Sequence, residues 1–450
     1  MTGSGRPTSA SEIGNAVAEL AGHTARLSWP DLAIEVQDRA LLVLFDTLGV
    51  MLAGAATPEV QALATQHPES GSAPLAGLGR RTTADASCWV NGASLCCLEL
   101  DEGSKYARGH PAAHVVPAAL AVGSGHPGSD WLTAVIAGYE VAARFGRATR
   151  LHSGVHPHGT WGAAGAAAAV STLRGLGAEG IAAAVDAACG LALAPHFDSA
   201  VTGHPVRNLW VGAANVAGLA ASRLAASGSG RVSGTAAGTL GEILGVFDPA
   251  PLTVPHEERF EIMLGYFKRH AACAYTHSAA DAVLELLETE PIDPDEVTEV
   301  RVETYRASAV LDSVEWPTRL AAMFSVPYVV AVTALEGSFG PAATDEAHRT
   351  DPRVRRLAER VKMVASEEFE SRLPDRRGAR VSVVTRHEST RRYEVEQPIG
   401  DSGYRPLGWN EIRDKVGDLI GAERAQRLER AIRSLPDEPV ESLLAELERS

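Results

Sequence analysis

The sequence lacks the signatures of the commoner cofactor and nucleophile chemistries. No G-x-G-x-x-G follows a strand pattern and no G-x-x-x-x-G-K-[ST] occurs, so bound nucleotides have no support. No G-x-S-x-G elbow marks an α/β hydrolase, and no H-E-x-x-H sets two metal ligands on one helical face. Cysteine is sparse. The five residues Cys88, Cys96, Cys97, Cys189 and Cys273 show no metal-ligand spacing, and an odd, scattered set makes no disulfide framework. Positive charge is in deficit: 41 Lys and Arg against 56 Asp and Glu give a formal net charge of −15. No basic run tracks a phosphate backbone, which excludes a nucleic-acid binder. An anionic substrate therefore needs a local cationic pocket in an acidic protein. Long apolar runs are missing too. "ALLVLFDTLGVMLAGA" is broken by Asp46 and is too short for a membrane span. "MTGSGRPTSAS" has no basic-then-apolar secretion pattern. These absences predict a reduced, cytoplasmic protein without a membrane partner.

What is present is mostly helix. At 450 residues the chain is too long for one compact core. The first ten residues or so read as unstructured. "SEIGNAVAELA", "PDLAIEVQDRALLVLFDTLGVMLAGA" and "DWLTAVIAGYEVAARFGRAT" carry apolar residues at helical spacing. "HGTWGAAGAAAAVSTLRGLG", "GIAAAVDAACGLALAP" and "NVAGLAASRLAASG" are rich in Ala and Gly, which lets helix backbones approach closely. The style changes near residue 267. "EVTEVRVETY" alternates as a half-buried strand does, and "ARVSVVTRHESTRRYEVEQP" reads as a hairpin. Between them, "MFSVPYVVAVTALEG" and "DPRVRRLAERVKMVA" read as helices, and helices return with "WNEIRDKVGDLI" and "RAQRLERAIRSL". The expected architecture is mainly α: a large all-helical domain over 1–266 and 401–450, with a smaller α+β lid domain inserted over 267–400.

Four stretches gather polar residues against apolar flanks. "CLELDEGSKYARGHPAAH" holds Glu99, Asp101, Glu102, Lys105, Arg108, His110 and His114. "LHSGVHPHGTWG" holds His152, His156 and His158; "HFDSAVTGHPVRNLW" holds His196, Asp198, His204, Arg207 and Asn208. "YFKRHAACAYTHSAADA" holds Lys268, Arg269, His270, Cys273 and His277. Taken singly, each has an ordinary reading as a solvated loop, a turn histidine or a small buried thiol. Together, and with Tyr328, they suit proton transfer on an anionic small molecule. Cations hold carboxylates and stabilise enolate-like charge, and histidine moves the proton near neutral pH.

The order of these motifs resembles the MmgE/PrpD family, which includes 2-methylcitrate dehydratase, cis-aconitate decarboxylase and iminodisuccinate epimerase. The resemblance runs from "DTLGVMLAGA" through "NGASLCCLELDEGSKYARGHPAAHVVPAALAVG", "VHPHGTWGAAGAAAA" and "KRHAACAYTHSAADAVLEL" to "FSVPYVVAVTALEG" and "DPRVRRLAERVKMV". It implies a helical domain, an α+β lid with the active site between them, a homodimer, and no cofactor or metal. The family's D-x-D-D-T segment falls on "ELDEG": Glu99, Asp101 and Glu102 take the Asp positions and Gly103 the Thr position. The histidines of the family's two H-P motifs are His110 and His156. Arg207 stands at a lysine position, Lys268 matches the hinge lysine, Cys273 stands at a decarboxylase histidine, His277 matches the family's T-H, and Tyr328 the tyrosine after F-S. Glu for Asp moves a carboxylate by about 1.5 Å. Gly103 removes a hydroxyl and is expected to widen the pocket. Arg207 brings a planar fork that keeps its proton. These departures point to a differently shaped carboxylate substrate.

The resulting expectation is a cofactor-independent lyase on a carboxylated small molecule. His110 and His156 act as acid and base, with Asp101 tuning one of them and Tyr328 donating a proton. Glu99, Arg207, Lys268, Cys273 and His277 line the substrate. An epimerase, a repurposed binding protein, and a metal hydrolase using the histidine-rich loop are the alternatives.

Overall fold

The computed structural model describes residues 9–256, 259–289, 293–387 and 389–449. Residues 1–8, which cover most of the stretch expected to lack structure, lie outside these. Ser9 already caps the first helix, Ala10–Thr24: its side chain accepts from the Glu12 amide while Glu12 reaches back to the Ser9 amide.

The chain is mainly α, but the part over 1–266 is not all-helical as expected: short antiparallel pairs, Ala73–Leu75 with Arg80–Thr82 and Thr149–Leu151 with Gly245–Phe247, join its loops. The helix Ile34–Ala55 runs through the core, buried along almost its whole length from Ala40 to Ala55. The C-terminal helices Trp409–Ile420 and Ala422–Ser434 pack on it, so the two ends of the chain share one core. The approach is close: a Cβ on Gly49 would sit 2.6 Å from a Val416 methyl. Gly128–Ala148, Gly162–Leu173, Gly177–Cys189 and Trp210–Ala226 form the Ala-rich layer beside it. Small residues do there what the sequence pattern promised. Helix Ala84–Cys96 crosses Trp210–Ala226 with a Gly92 Cβ position only 2.6 Å from the Gly212 Cα. Pro205–Ala226 is apolar and long enough to cross a membrane by composition, yet over half of it is buried inside this layer.

The segment after residue 267 carries a four-stranded mixed sheet in the order Val361–Ala365, Val297–Thr304, Ala379–Thr385, Thr390–Val395. The first pair is parallel and the other two are antiparallel. Ala379–Thr385 alternates buried and half-buried residues along its length, the signature of one covered face. Helices His277–Thr289, Val326–Glu336 and Pro352–Ala358 belong to the same segment. One expectation is corrected. "DPRVRRLAERVKMVA" is not a single helix: the helix stops at Ala358, and Val361–Ala365 is the edge strand beside Val297–Thr304. Val361 and Val364 are β-branched and suit a strand, and the parallel partner supplies the backbone hydrogen bonds.

Candidate active site

A cavity of about 370 Å³ opens where the helical body meets the α+β segment. Glu99, Arg108, His110, His156, His158, Phe197 and Arg207 line it from the helical side; Tyr266, Cys273, Tyr275, Tyr305, Phe324, Pro374 and Arg377 line it from the other. Of the residues expected from sequence, His110, His156, Glu99, Arg207 and Cys273 reach the cavity. Asp101 and Lys268 stand one layer behind it.

The turn bearing Glu99 to His114 is held at several points. Asn215, on helix Trp210–Ala226, accepts from the Ala118 amide at 2.9 Å and donates to the Ala113 carbonyl at 3.1 Å. Glu99 and Arg108 sit in the left-handed region with φ of 53° and 55°. Such backbone is costly for residues with a side chain and persists where the surroundings enforce it. At Glu99 the enforcement is ionic. The carboxylate pairs with Arg207 and accepts from Lys268 Nζ at 3.0 Å. Arg207 also donates to the Cys96 carbonyl at 2.8 Å, and Lys268 reaches Asp101 at 3.4 Å.

His110 Nδ1 lies 2.7 Å from the Glu102 carbonyl and 3.2 Å from the Asp101 carboxylate. A carbonyl only accepts, so Nδ1 carries the proton and Nε2 keeps the lone pair. His156 is the mirror case. Its Nδ1 accepts from the His158 amide at 3.1 Å, so a neutral ring carries its proton on Nε2. Burial pushes the His110 pKa down, against the pull of Asp101. Burial, with neighbouring His110 and His114, lowers His156 to about 3. His114 falls to about 4, again mainly by burial, and His158 falls well below its ordinary value. The four rings pack edge to face around His158, with centroids 4.6 to 5.5 Å apart. They form an uncharged wall at neutral pH. Burial works against ionisation of Asp101, but the adjacent His110 and Lys268 hold it below the usual carboxylate range.

Asp101, His110 and His158 have ligand atoms within 4.8 Å of one another and are the set, among the described residues, best placed to hold a metal. Asp101 there already answers Lys268 and His110. A cation would compete with both for the same carboxylate.

Two expected residues are elsewhere. Tyr328 is fully buried, packs against Trp316 and Phe339, and donates its hydroxyl to the Ala343 carbonyl at 2.6 Å. It does not line the cavity. His277 is also buried away from it, with Nε2 donating to the Ala272 carbonyl at 3.1 Å; it ties down the turn that carries Cys273. A third expectation is reversed. Gly103 does not leave open space, because a Cβ there would lie 2.5 Å from Tyr266 Oη and 2.6 Å from Cζ. The Tyr266 ring fills the room. Sequence reading also passed over Tyr275, Tyr305 and Arg377. Arg377 follows Arg376 in "LPDRRGAR", which looks like a solvated turn. Arg376 is one, paired with Glu396 at 2.9 Å, whereas Arg377 is 6% exposed.

The MmgE/PrpD N-terminal domain model matches residues 18–253, and the MmgE/PrpD C-terminal domain model matches residues 270–437. The chain is 31% identical over 199 residues to the cis-aconitate decarboxylase-like protein oryM of Aspergillus oryzae. That match spans 40% of this chain and 41% of the relative. Matched by the N-terminal model over more than half its length, with the C-terminal model following in order, the chain belongs to the MmgE/PrpD family.

Proposed function

We propose that this protein is a dehydratase- or decarboxylase-type lyase acting on a carboxylated small molecule. The family and the decarboxylase-like relative support that class of reaction. The observation that carries the mechanism is the opposed tautomers of two histidines on one cavity. His110, with Nδ1–H held by the Glu102 carbonyl, presents a basic Nε2. It takes the proton from the carbon next to the substrate carboxylate, and Asp101 stabilises the imidazolium that forms. His156, with Nδ1 occupied, presents Nε2–H and hydrogen-bonds the departing hydroxyl, which leaves as water with the proton that His110 took from carbon, so both rings end neutral. In a decarboxylation the same groups return a proton to carbon after carbon dioxide leaves. Arg207 and Lys268 supply positive charge where the enolate develops. The α+β segment acts as a lid: Lys105 reaches the Asp375 carbonyl at 2.9 Å and Asp401 at 3.1 Å, and Tyr106 donates to Asp375 at 3.1 Å. The reading includes a cytoplasmic homodimer and chemistry carried by side chains alone.

The test is a panel of hydroxylated and unsaturated di- and tricarboxylates, read by mass. A loss of water or of carbon dioxide supports the lyase. No loss of water or carbon dioxide, with deuterium uptake or inverted stereochemistry, makes it an epimerase. Binding with no turnover or exchange across the panel would leave a binding protein.

A further inference from the structure

Arg207, Lys268 and Lys105 lie at or just behind the cavity, and each is answered by the protein; Arg108, which also lines it, is exposed to solvent. Arg207 holds Glu99 and the Cys96 carbonyl through its two terminal nitrogens and leaves only Nε without a partner. Lys268 holds Glu99 and Asp101. Lys105 holds Asp401 and the Asp375 carbonyl. Arg377 is different. It lines the same cavity, is 6% exposed, and its Nε and Nη2 find no acceptor in good hydrogen-bond geometry among the described residues, the Tyr266 hydroxyl being the polar group beside it. A buried guanidinium with bare N–H groups is costly, and proteins seldom leave one so.

The two bare nitrogens are not a random pair. Nε and Nη2 form the side-on edge of the guanidinium, whose parallel N–H bonds match the two oxygens of a carboxylate. The edge is also braced. The guanidinium lies 4.4 Å from the centre of the Tyr266 ring, a cation–π arrangement. Tyr266 is locked by two backbone bonds to Gly103, at 3.0 and 2.7 Å, and its ring occupies the space that any side chain at residue 103 would need. The Arg377 backbone is fixed as well: its amide donates to Gln397 and its carbonyl accepts from Ser278.

We infer that Arg377 is the anchor for a substrate carboxylate, held side-on, and that Gly103 and Tyr266 are its positioning residues. This rests on the reading of the cavity as a site for carboxylated molecules. It moves carboxylate recognition from Arg207, already occupied by Glu99, to the opposite wall. Because His110 and Asp101 work at the other wall, the anchored carboxylate is the distal one, and the substrate carries at least two.

The probes are maleate, succinate and tricarballylate, each beside its monomethyl ester, titrated calorimetrically into the whole protein. Wild type is expected to bind at least one acid more tightly than its ester. R377Q is expected to lose about 30-fold or more in affinity for that acid, the scale for truncating one partner of a buried charge pair, and to lose the acid-over-ester preference. R377K, which keeps charge without the fork, is expected to fall about tenfold and serves alone if R377Q does not fold. Unchanged affinity in either folded variant, or no acid bound by wild type, overturns the inference. The lyase reading is scored separately by mass change. Binding that depends on Arg377 without turnover keeps the anchor and sinks the lyase. Turnover with an unchanged KM in R377Q does the reverse.

Discussion

On the helical wall of the cavity, His110, His156 and His158, with His114 packed behind them, are buried imidazoles kept neutral by desolvation; on the wall from residues 266–377, a guanidinium lies over a tyrosine ring with more tyrosines around it. One wall can move protons, and the other can grip charge. The contrast has a physical root. A proton-transfer group works best uncharged and ready to change, so burial without a strong counter-ion suits it. An anchor works best permanently charged, which arginine provides at any relevant pH. In and behind the helical wall, Glu99, Arg207, Asp101 and Lys268 form a buried ionic layer that fixes it and spends most of its charge internally.

The division of labour breaks most visibly at His110. His110→Ala is expected to lower kcat by about 100-fold or more while leaving carboxylate affinity within about threefold. His156→Ala should behave alike. Turnover near wild type in either variant removes that ring from the proton path. Affinity lost in parallel with kcat would mean that the walls do not divide the work.

Gly103→Thr tests the bracing of the other wall. Its new Cβ would overlap Tyr266, so the ring must shift, at a cost of about 1–3 kcal/mol typical of overpacking. A lowered thermal midpoint together with weaker maleate binding is the expected pair of results. A variant as stable and as tight as wild type would show that residue 103 and Arg377 are not coupled through Tyr266.

How far the sequence reached follows the same division. The imidazole wall was legible because its residues come in short local motifs, H-P, H-P-H and E-L-D-E-G, whose chemistry shows without a fold. The anchoring wall was not. Arg376 and Arg377 are identical letters in one turn, and only the position of the strand Ala379–Thr385 decides which faces the cavity. Tyr328 failed for a related reason: F-S-x-P-Y marks the start of helix Val326–Glu336, and the hydroxyl then points into the core. The strand Val361–Ala365 was hidden because the charged helix before it runs on with no break in composition.

pH acts on the helical side of the cavity with both signs. In the unfolded chain the imidazoles titrate near 6.5, but folded His114 and His156 titrate near 4 and 3. Between those values the unfolded state binds more protons, so their contribution to stability is complete above about 6.5 and drains as pH falls towards 3. Glu102 does the opposite. Burial, against hydrogen bonds from Tyr139 and the Ala112 amide, raises its carboxyl from 4.5 to about 8. The folded state binds the extra proton, so that contribution is complete below about 4.5 and drains as pH rises through 8. Thermal midpoints across pH should fall on both sides, with His156→Gln flattening the acid limb and Glu102→Gln the alkaline limb. An acid limb unchanged in the His156 variant would mean that the ring is not buried neutral.

The smallest effect is expected at Tyr328, and it decides whether the hydroxyl belongs to the chemistry. Its hydroxyl donates to the Ala343 carbonyl in the core, away from both walls. Tyr328→Phe removes one buried hydrogen bond and should cost about 1 kcal/mol of stability, read as a small fall in the denaturant midpoint, with kcat within about twofold of wild type. A loss of kcat approaching that of His110→Ala, with stability unchanged, would mean that the hydroxyl leaves Ala343 and reaches the substrate in the liganded protein. The anchoring wall would then also move protons, and the contrast between the walls would be one of the unliganded protein alone.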